Sequence, residues 1–169
     1  MKKNWLEPDL ELGLTIQQLS IQHLLDRGIK TVLLDVDGTL LPRHEITLHN
    51  SVKVWVEKAK AALDVHLLSN NPSKARIENI SKQLNISFTY NAAKPTSKSL
   101  RRALSNFQQD PKSSAIVGDR LFTDILVGNR VGLYTVLVQP LGPNGKTSPN
   151  KKTQQLEKSI AAFFGARNK

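Results

Sequence analysis

The chain has 169 residues, 39 % of them hydrophobic, and a formal net charge of +10. That length suits one domain with a substantial core, and the apolar content excludes a disordered chain. The absence of cysteine excludes disulfides, thiolate metal sites and thiol catalysis. The charge favours an anionic partner, be it nucleic acid, an anionic membrane surface or a phosphorylated substrate; the alternative is a generally basic, solvated surface. The longest apolar runs fall short of a membrane span, and no basic-then-apolar leader opens the chain, so a cytoplasmic protein is expected.

Residues 1–13 read as polar and irregular apart from Trp5 and Leu6. Thr15 and Gln18 have capping-box spacing and predict a helix to about Arg27, with Gly28 as its stop. A first strand follows over 30–36. A helix over 51–63 carries Val52, Trp55, Val56, Ala59 and Leu63 as an apolar stripe. The second strand, 64–71, ends in the polar cluster Ser69-Asn70-Asn71. A helix opened by Pro72 and Ser73 puts Ile77, Ile80 and Leu84 on one face, and a short third strand spans 86–90. Pro95 ends that structure, and Thr96 is placed to cap the next helix, with Leu100, Ala103, Leu104 and Phe107 at helical spacing. The fourth strand, 114–117, runs into Gly118-Asp119 and Thr123-Asp124. A short helix to about Val131 stops at Gly132, and a fifth strand spans 133–138. Strands alternating with helices predict an α/β protein with a doubly wound parallel sheet. Three segments are expected: residues 1–29 as a leading segment and helix, 30–138 as the core, and 139–169 as a basic linker and C-terminal helix.

The run Thr31-Val32-Leu33-Leu34 reads as a strand buried on both faces, and it leads directly into Asp35 and Asp37. Two acids at the exit of a buried strand repel each other and lose hydration, a cost that a bound hard cation such as Mg²⁺ would relieve. An EF-hand loop fails, because Leu40 and Ile46 stand where Gly and Glu are required. A solvated strand end and a nucleophilic Asp35 stay open. In open α/β sheets ligands bind beyond the carboxyl ends of the strands. Asp35, Asp37, Ser69, Asn70, Lys94, Asp119 and Asp124 all fall at such ends.

Asp35-Val36-Asp37-Gly38-Thr39, Ser69, Lys94 and Gly118-Asp119 with Thr123-Asp124 together resemble the four motifs of the haloacid dehalogenase (HAD) superfamily of phosphohydrolases. The chain looks most like the capless subfamily IIIA, in the YqeG-like branch related to phosphatidylglycerophosphate phosphatases. The Gly28-Ile29-Lys30 lead-in, Ser69-Asn70-Asn71 and Ala93-Lys94-Pro95 carry that closer likeness. The resemblance implies a Rossmann-like core with its five strands ordered 5-4-1-2-3, which sets Asp119 beside Asp35. It implies a Mg²⁺-dependent phosphomonoester hydrolase in which Asp35 forms an aspartyl-phosphate and Asp37 serves as general acid and base. Asp35, the main-chain carbonyl of Asp37, and Asp119 would hold Mg²⁺, with Asp124 orienting them. Thr39, Ser69, Asn70 and Lys94 would bind the phosphoryl group, Lys98 being the rival of Lys94. His44 and Arg120 could contact substrate or stand solvated.

About a dozen residues separate Gly38 from the next helix and about five separate Tyr90 from Thr96, too few for a cap domain. An open site admits a phosphate on a large object, such as a phospholipid head group, a nucleic-acid end or a phosphoprotein, as well as a soluble ester. A non-catalytic binding module on the same fold is the alternative from another class. From Lys146 onward there are six basic residues and one acid, Glu157. Leu156, Ile160, Phe163 and Phe164 would form an apolar helix face that either packs on the domain or lies peripherally on an anionic membrane.

Overall fold

The computed structural model describes residues 4–148 and 152–166. Its strands are β1 (Leu10–Glu11), β2 (Thr31–Leu34), β3 (Asp64–Leu68), β4 (Ser87–Thr89), β5 (Ser114–Gly118) and β6 (Tyr134–Leu137). Its helices are α1 (Ile21–Leu25), α2 (Asn50–Lys60), α3 (Lys74–Leu84), α4 (Lys98–Asn106), α5 (Leu126–Val131) and α6 (Lys152–Phe163). All strand pairs are parallel, in the order β1-β6-β5-β2-β3-β4. The central five follow the expected order, and β1 is an addition at the edge.

β2 lies between β3 and β5, with Val32 opposite both Val65 and Ala115. Its alternate side chains enter different cores. Val32 and Leu34 join Val56, Ile77 and Ile80 under α2 and α3, whereas Leu33 joins Ile116, Leu100, Leu104 and Val127 under α4 and α5. Burial on both faces is why this strand reads as an unbroken apolar run. No domain is inserted after β2 or after β4, so the strand ends are uncapped.

Three local expectations change. The helix expected from Thr15 is split into a 3₁₀ turn (Ile16–Gln18) and α1. Thr15 makes no capping bond; Ser20 caps α1 by accepting from the His23 N–H. The break falls at Leu19, whose backbone is extended and whose carbonyl accepts from the buried Trp55 indole at 2.7 Å. Ser97, not Thr96, is the residue before α4; the Thr96 hydroxyl donates back to the Ala93 carbonyl at 2.7 Å. A π-type turn (Leu121–Ile125) precedes α5.

The segment after β6 is bound to the core. Leu141 is buried and its N–H donates to the Gly38 carbonyl at 2.8 Å. α6 turns Gln154, Glu157 and Ala161 inward and leaves Leu156, Ile160 and Phe163 exposed, the inverse of the usual amphipathic arrangement. Lys151, Arg167 and Lys169, counted above in the basic tail, lie outside the described residues.

Candidate active site

The Asp35 N–H donates to the Val117 carbonyl at 3.0 Å, one residue beyond the ladder of β2 with β5. The chain then turns tightly, with the N–H groups of Thr39 and Leu40 donating to the Val36 carbonyl. Gly38 has φ +90°, and a Cβ there would lie 2.5 Å from Asp119 Oδ2. A Cβ at Gly118 would lie 2.2 Å from Asp124 Oδ2. The two glycines thus let the loop after β2 close on Asp119 and the end of β5 close on Asp124.

Asp35, Asp119 and Asp124 are buried, and each places a carboxylate oxygen within 4.8 Å of the others. Lys94 reaches them from the turn after β4. Its Nζ donates to Asp35 Oδ1 at 2.7 Å, Asp124 Oδ1 at 2.6 Å and the Leu68 carbonyl at 2.7 Å, which uses all three of its protons. Thr39 donates to Asp35 Oδ2 at 3.2 Å, or to Asp119 Oδ1 at 3.4 Å. Burial alone would lower the Lys94 pKa, but the charges of Asp124 and Asp35 outweigh it and raise it above the usual lysine value. Burial, reinforced by the charges of Asp35 and Asp124, raises Asp119 well above the carboxylate range. Burial likewise lifts Asp124 to about 6, against the pull of Lys94. Among the described residues, Lys94 alone forms ion pairs with these acids, and it does so with Asp35 and Asp124.

A cleft of about 640 Å³ opens above this cluster, lined by Asp35, Asp37, Ser69, Asn70, Lys94 and Arg120 among others. Asp37 points away from the buried acids. Its Oδ2 accepts from the Asn71 amide at 2.9 Å, and its Oδ1 lies 2.8 Å from Arg76 Nη1. Ser69 accepts from the Asn71 N–H at 3.1 Å, so its hydroxyl proton remains available to a ligand. Asn70 clasps the Lys94 backbone, donating to its carbonyl at 2.9 Å and accepting from its N–H at 2.8 Å.

The family profile described as "Mitochondrial PGP phosphatase" matches residues 1–141. The Bacillus subtilis protein named "Probable phosphatase YqeG" is 33 % identical over 142 residues, which cover 83 % of this chain and 81 % of that one. The chain belongs to this phosphatase family. The chloroplastic/mitochondrial phosphatidylglycerophosphate phosphatase 1 of Arabidopsis thaliana is 25 % identical over 86 % of this chain, which spans 44 % of that protein. A Legionella pneumophila structure assigned to HAD subfamily III A superposes with a TM-score of 0.52 at 16 % identity, covering 86 % of this chain and 96 % of that one. At that identity the likeness concerns the fold.

The strand ends bring together the residues expected from the four motifs, with two differences of placement. Thr39 is fully buried against Asp35 and Asp119 and does not line the cleft. Asn70 lines the cleft, but its amide is engaged with Lys94 at both ends. Lys98 is exposed at the start of α4 and outside the cleft. Three buried carboxylates against one ammonium leave an excess of negative charge, and all-oxygen donors of this kind fit a hard divalent cation. Both oxygens of Asp124 are already occupied, Oδ1 by Lys94 and Oδ2 by the Arg120 N–H at 3.3 Å, which suits orienting the cluster rather than ligating.

Four residues of the site have no counterpart among the sequence-based candidates. Asn71, just before α3, and Arg76, in its first turn, hold Asp37. Gln154 of α6 donates to the Asp119 carbonyl at 2.8 Å. Glu157 of α6 holds Arg120 through Nε at 2.7 Å and accepts from the Leu121 N–H at 2.9 Å. Of the four, only Asn71 carried a signal, as part of Ser69-Asn70-Asn71.

Proposed function

We propose that this phosphatase hydrolyses phosphomonoesters by way of an aspartyl-phosphate on Asp35, with Mg²⁺ held by Asp35, Asp119 and the main-chain carbonyl of Asp37. The observation that carries this reading is the fixation of the Asp35 carboxylate, with Lys94 on one oxygen and Thr39 on the other, at the floor of the cleft. Such a carboxylate is aimed before substrate arrives, which is what an attacking group requires. When bound, the cation supplies positive charge between the carboxylates and the phosphoryl oxygens. Lys94 has no spare proton, so it acts through its charge and by aiming Asp35. The free hydroxyl proton of Ser69 suits a phosphoryl oxygen. Asp37, at the cleft wall, protonates the leaving oxygen and then takes a proton from the attacking water.

The substrate we infer is a phosphomonoester on a phospholipid head group, of the phosphatidylglycerophosphate kind. The family description, the name of the Arabidopsis relative and the uncapped cleft support that choice. The outward apolar face of α6 supports peripheral contact with an anionic bilayer, and no helix among the described residues is long and apolar enough to cross one. Release of inorganic phosphate from phosphatidylglycerophosphate in mixed micelles, with Mg²⁺ or chelator, tests the reading. The wild-type protein should be active with Mg²⁺ and silent with chelator. Asp35→Asn, nearly isosteric, should fold normally and lose all measurable turnover; wild-type turnover by that variant would refute the nucleophile.

A further inference from the structure

The cleft carries cationic side chains beyond Lys94. Arg43, His44, Arg76 and Arg120 all line it in addition to Lys94. Arg120 is neutralised by Glu157. Arg43 is exposed and has no carboxylate partner among the described residues. Arg76 is different, because its side chain is only 13 % exposed. Its Nη2 donates to the Glu45 carbonyl at 2.7 Å and, more weakly, to the Pro42 carbonyl at 3.4 Å, which anchors it to the loop after β2. Its Nη1 lies 2.8 Å from Asp37 Oδ1, an ion pair at the cleft wall. Arg76 is thus fixed at the cleft wall by the loop and by Asp37 before any substrate binds.

We propose that Arg76 and Arg43 form a second anion subsite that takes a phosphodiester carried on the leaving group of the substrate. The inference rests on the phosphatase reading above and deepens it. Arg76 touches Asp37, the residue assigned to the leaving oxygen, so the subsite lies on the leaving-group side of the cleft. Arg43 projects from the same 42–46 loop whose carbonyls Arg76 holds, so both guanidinium groups belong to one rim. The planar guanidinium fork matches two oxygens of a phosphodiester, a geometry that lysine lacks.

The test compares kcat/KM for three soluble esters. The first is glycerol 3-phosphate. The second is the deacylated head group, in which the other primary oxygen of that glycerol carries a glycerol phosphodiester. The third is the same compound with the diester methylated to a neutral triester. The wild-type protein should prefer the diester compound over both others by at least about 10-fold, as expected for a charge-assisted contact. Arg43→Ala and Arg76→Lys should each remove most of that preference, chiefly through KM. Arg43 is exposed, so its variant carries the test even if Arg76→Lys disturbs the loop. The diacyl form in micelles separates the sources: a preference that survives deacylation places recognition in the head group, and one seen only with acyl chains overturns the subsite. Equal kcat/KM for all three esters in the wild type, or an unchanged preference in both variants, also overturns it while leaving the phosphatase reading intact. Turnover of none of them would sink both.

Discussion

Lys94 shows how one side chain can organise a cluster of buried acids. It is buried, fully hydrogen-bonded and, among the described residues, the only ammonium paired with Asp35 and Asp124. Removing it leaves an excess of buried carboxylate charge and an unaimed Asp35. Lys94→Ala should therefore lower kcat/KM by a factor on the order of 10² or more, whereas Lys98→Ala, on the exposed start of α4, should change it little. Steady-state kinetics on a common phosphomonoester decides between them, and equal, small effects would remove Lys94 from the centre. The acids and Lys94 were legible because each stands at a strand end, where chain order fixes position. Arg76 was not legible: it reaches Asp37 from α3 across 39 residues of sequence, a contact that no spacing encodes. Glu157 was hidden for the same reason, 37 residues from Arg120.

At the scale of elements, β3 and β4 are joined by an unusual side-chain link. His66 of β3 is buried and hydrogen-bonds Ser87 at 2.7 Å and Thr89 at 2.9 Å on β4, with Phe107 edge-on to its ring at 5.7 Å. Burial lowers its pKa from 6.5 to about 4. The unfolded chain then binds a proton below pH 6.5 that the folded chain refuses until about pH 4, so stability rises with pH across that window. Above 6.5 His66 costs nothing on this account; by pH 5 the loss is roughly 2 kcal/mol. Denaturant titrations at pH 7.5 and 5 should show His66→Gln losing less stability on acidification than the wild type, by about that amount. Parallel slopes would refute it. The buried strands β2, β3 and β5 were legible as apolar runs, and Gly28 and Gly132 as helix stops. β1 was not, because two residues carry no periodicity. The split before α1 was not either, because the Leu19 carbonyl is drawn to Trp55, a tertiary contact.

At the scale of the molecule, the sheet sets the catalytic groups on its carboxyl edge and α6 runs down its flank. Reading α6 as amphipathic leads to its apolar stripe being buried, yet its polar residues face inward. Gln154 serves two main-chain carbonyls, and Glu157 serves Arg120 and the Leu121 N–H, so both buried polar groups are satisfied. That leaves Leu156 62 %, Phe163 87 % and Phe164 67 % exposed on a protein of net charge +10. Such a surface suits the interface of an anionic bilayer. Co-sedimentation with anionic vesicles should exceed that with neutral ones, weaken with salt, and fall in Leu156→Ser/Phe163→Ser protein; equal binding to both vesicle types would end the membrane reading. The most direct test of the account is reductive trapping of the intermediate. Borohydride added during turnover reduces an acyl phosphate but not a free carboxylate, and mass spectrometry of the digested protein locates the altered residue. The account predicts reduction at Asp35 alone, dependent on both substrate and Mg²⁺. Reduction at Asp37 or Asp119, or turnover with Asp35 left unmodified under conditions that trap the intermediate, would contradict it.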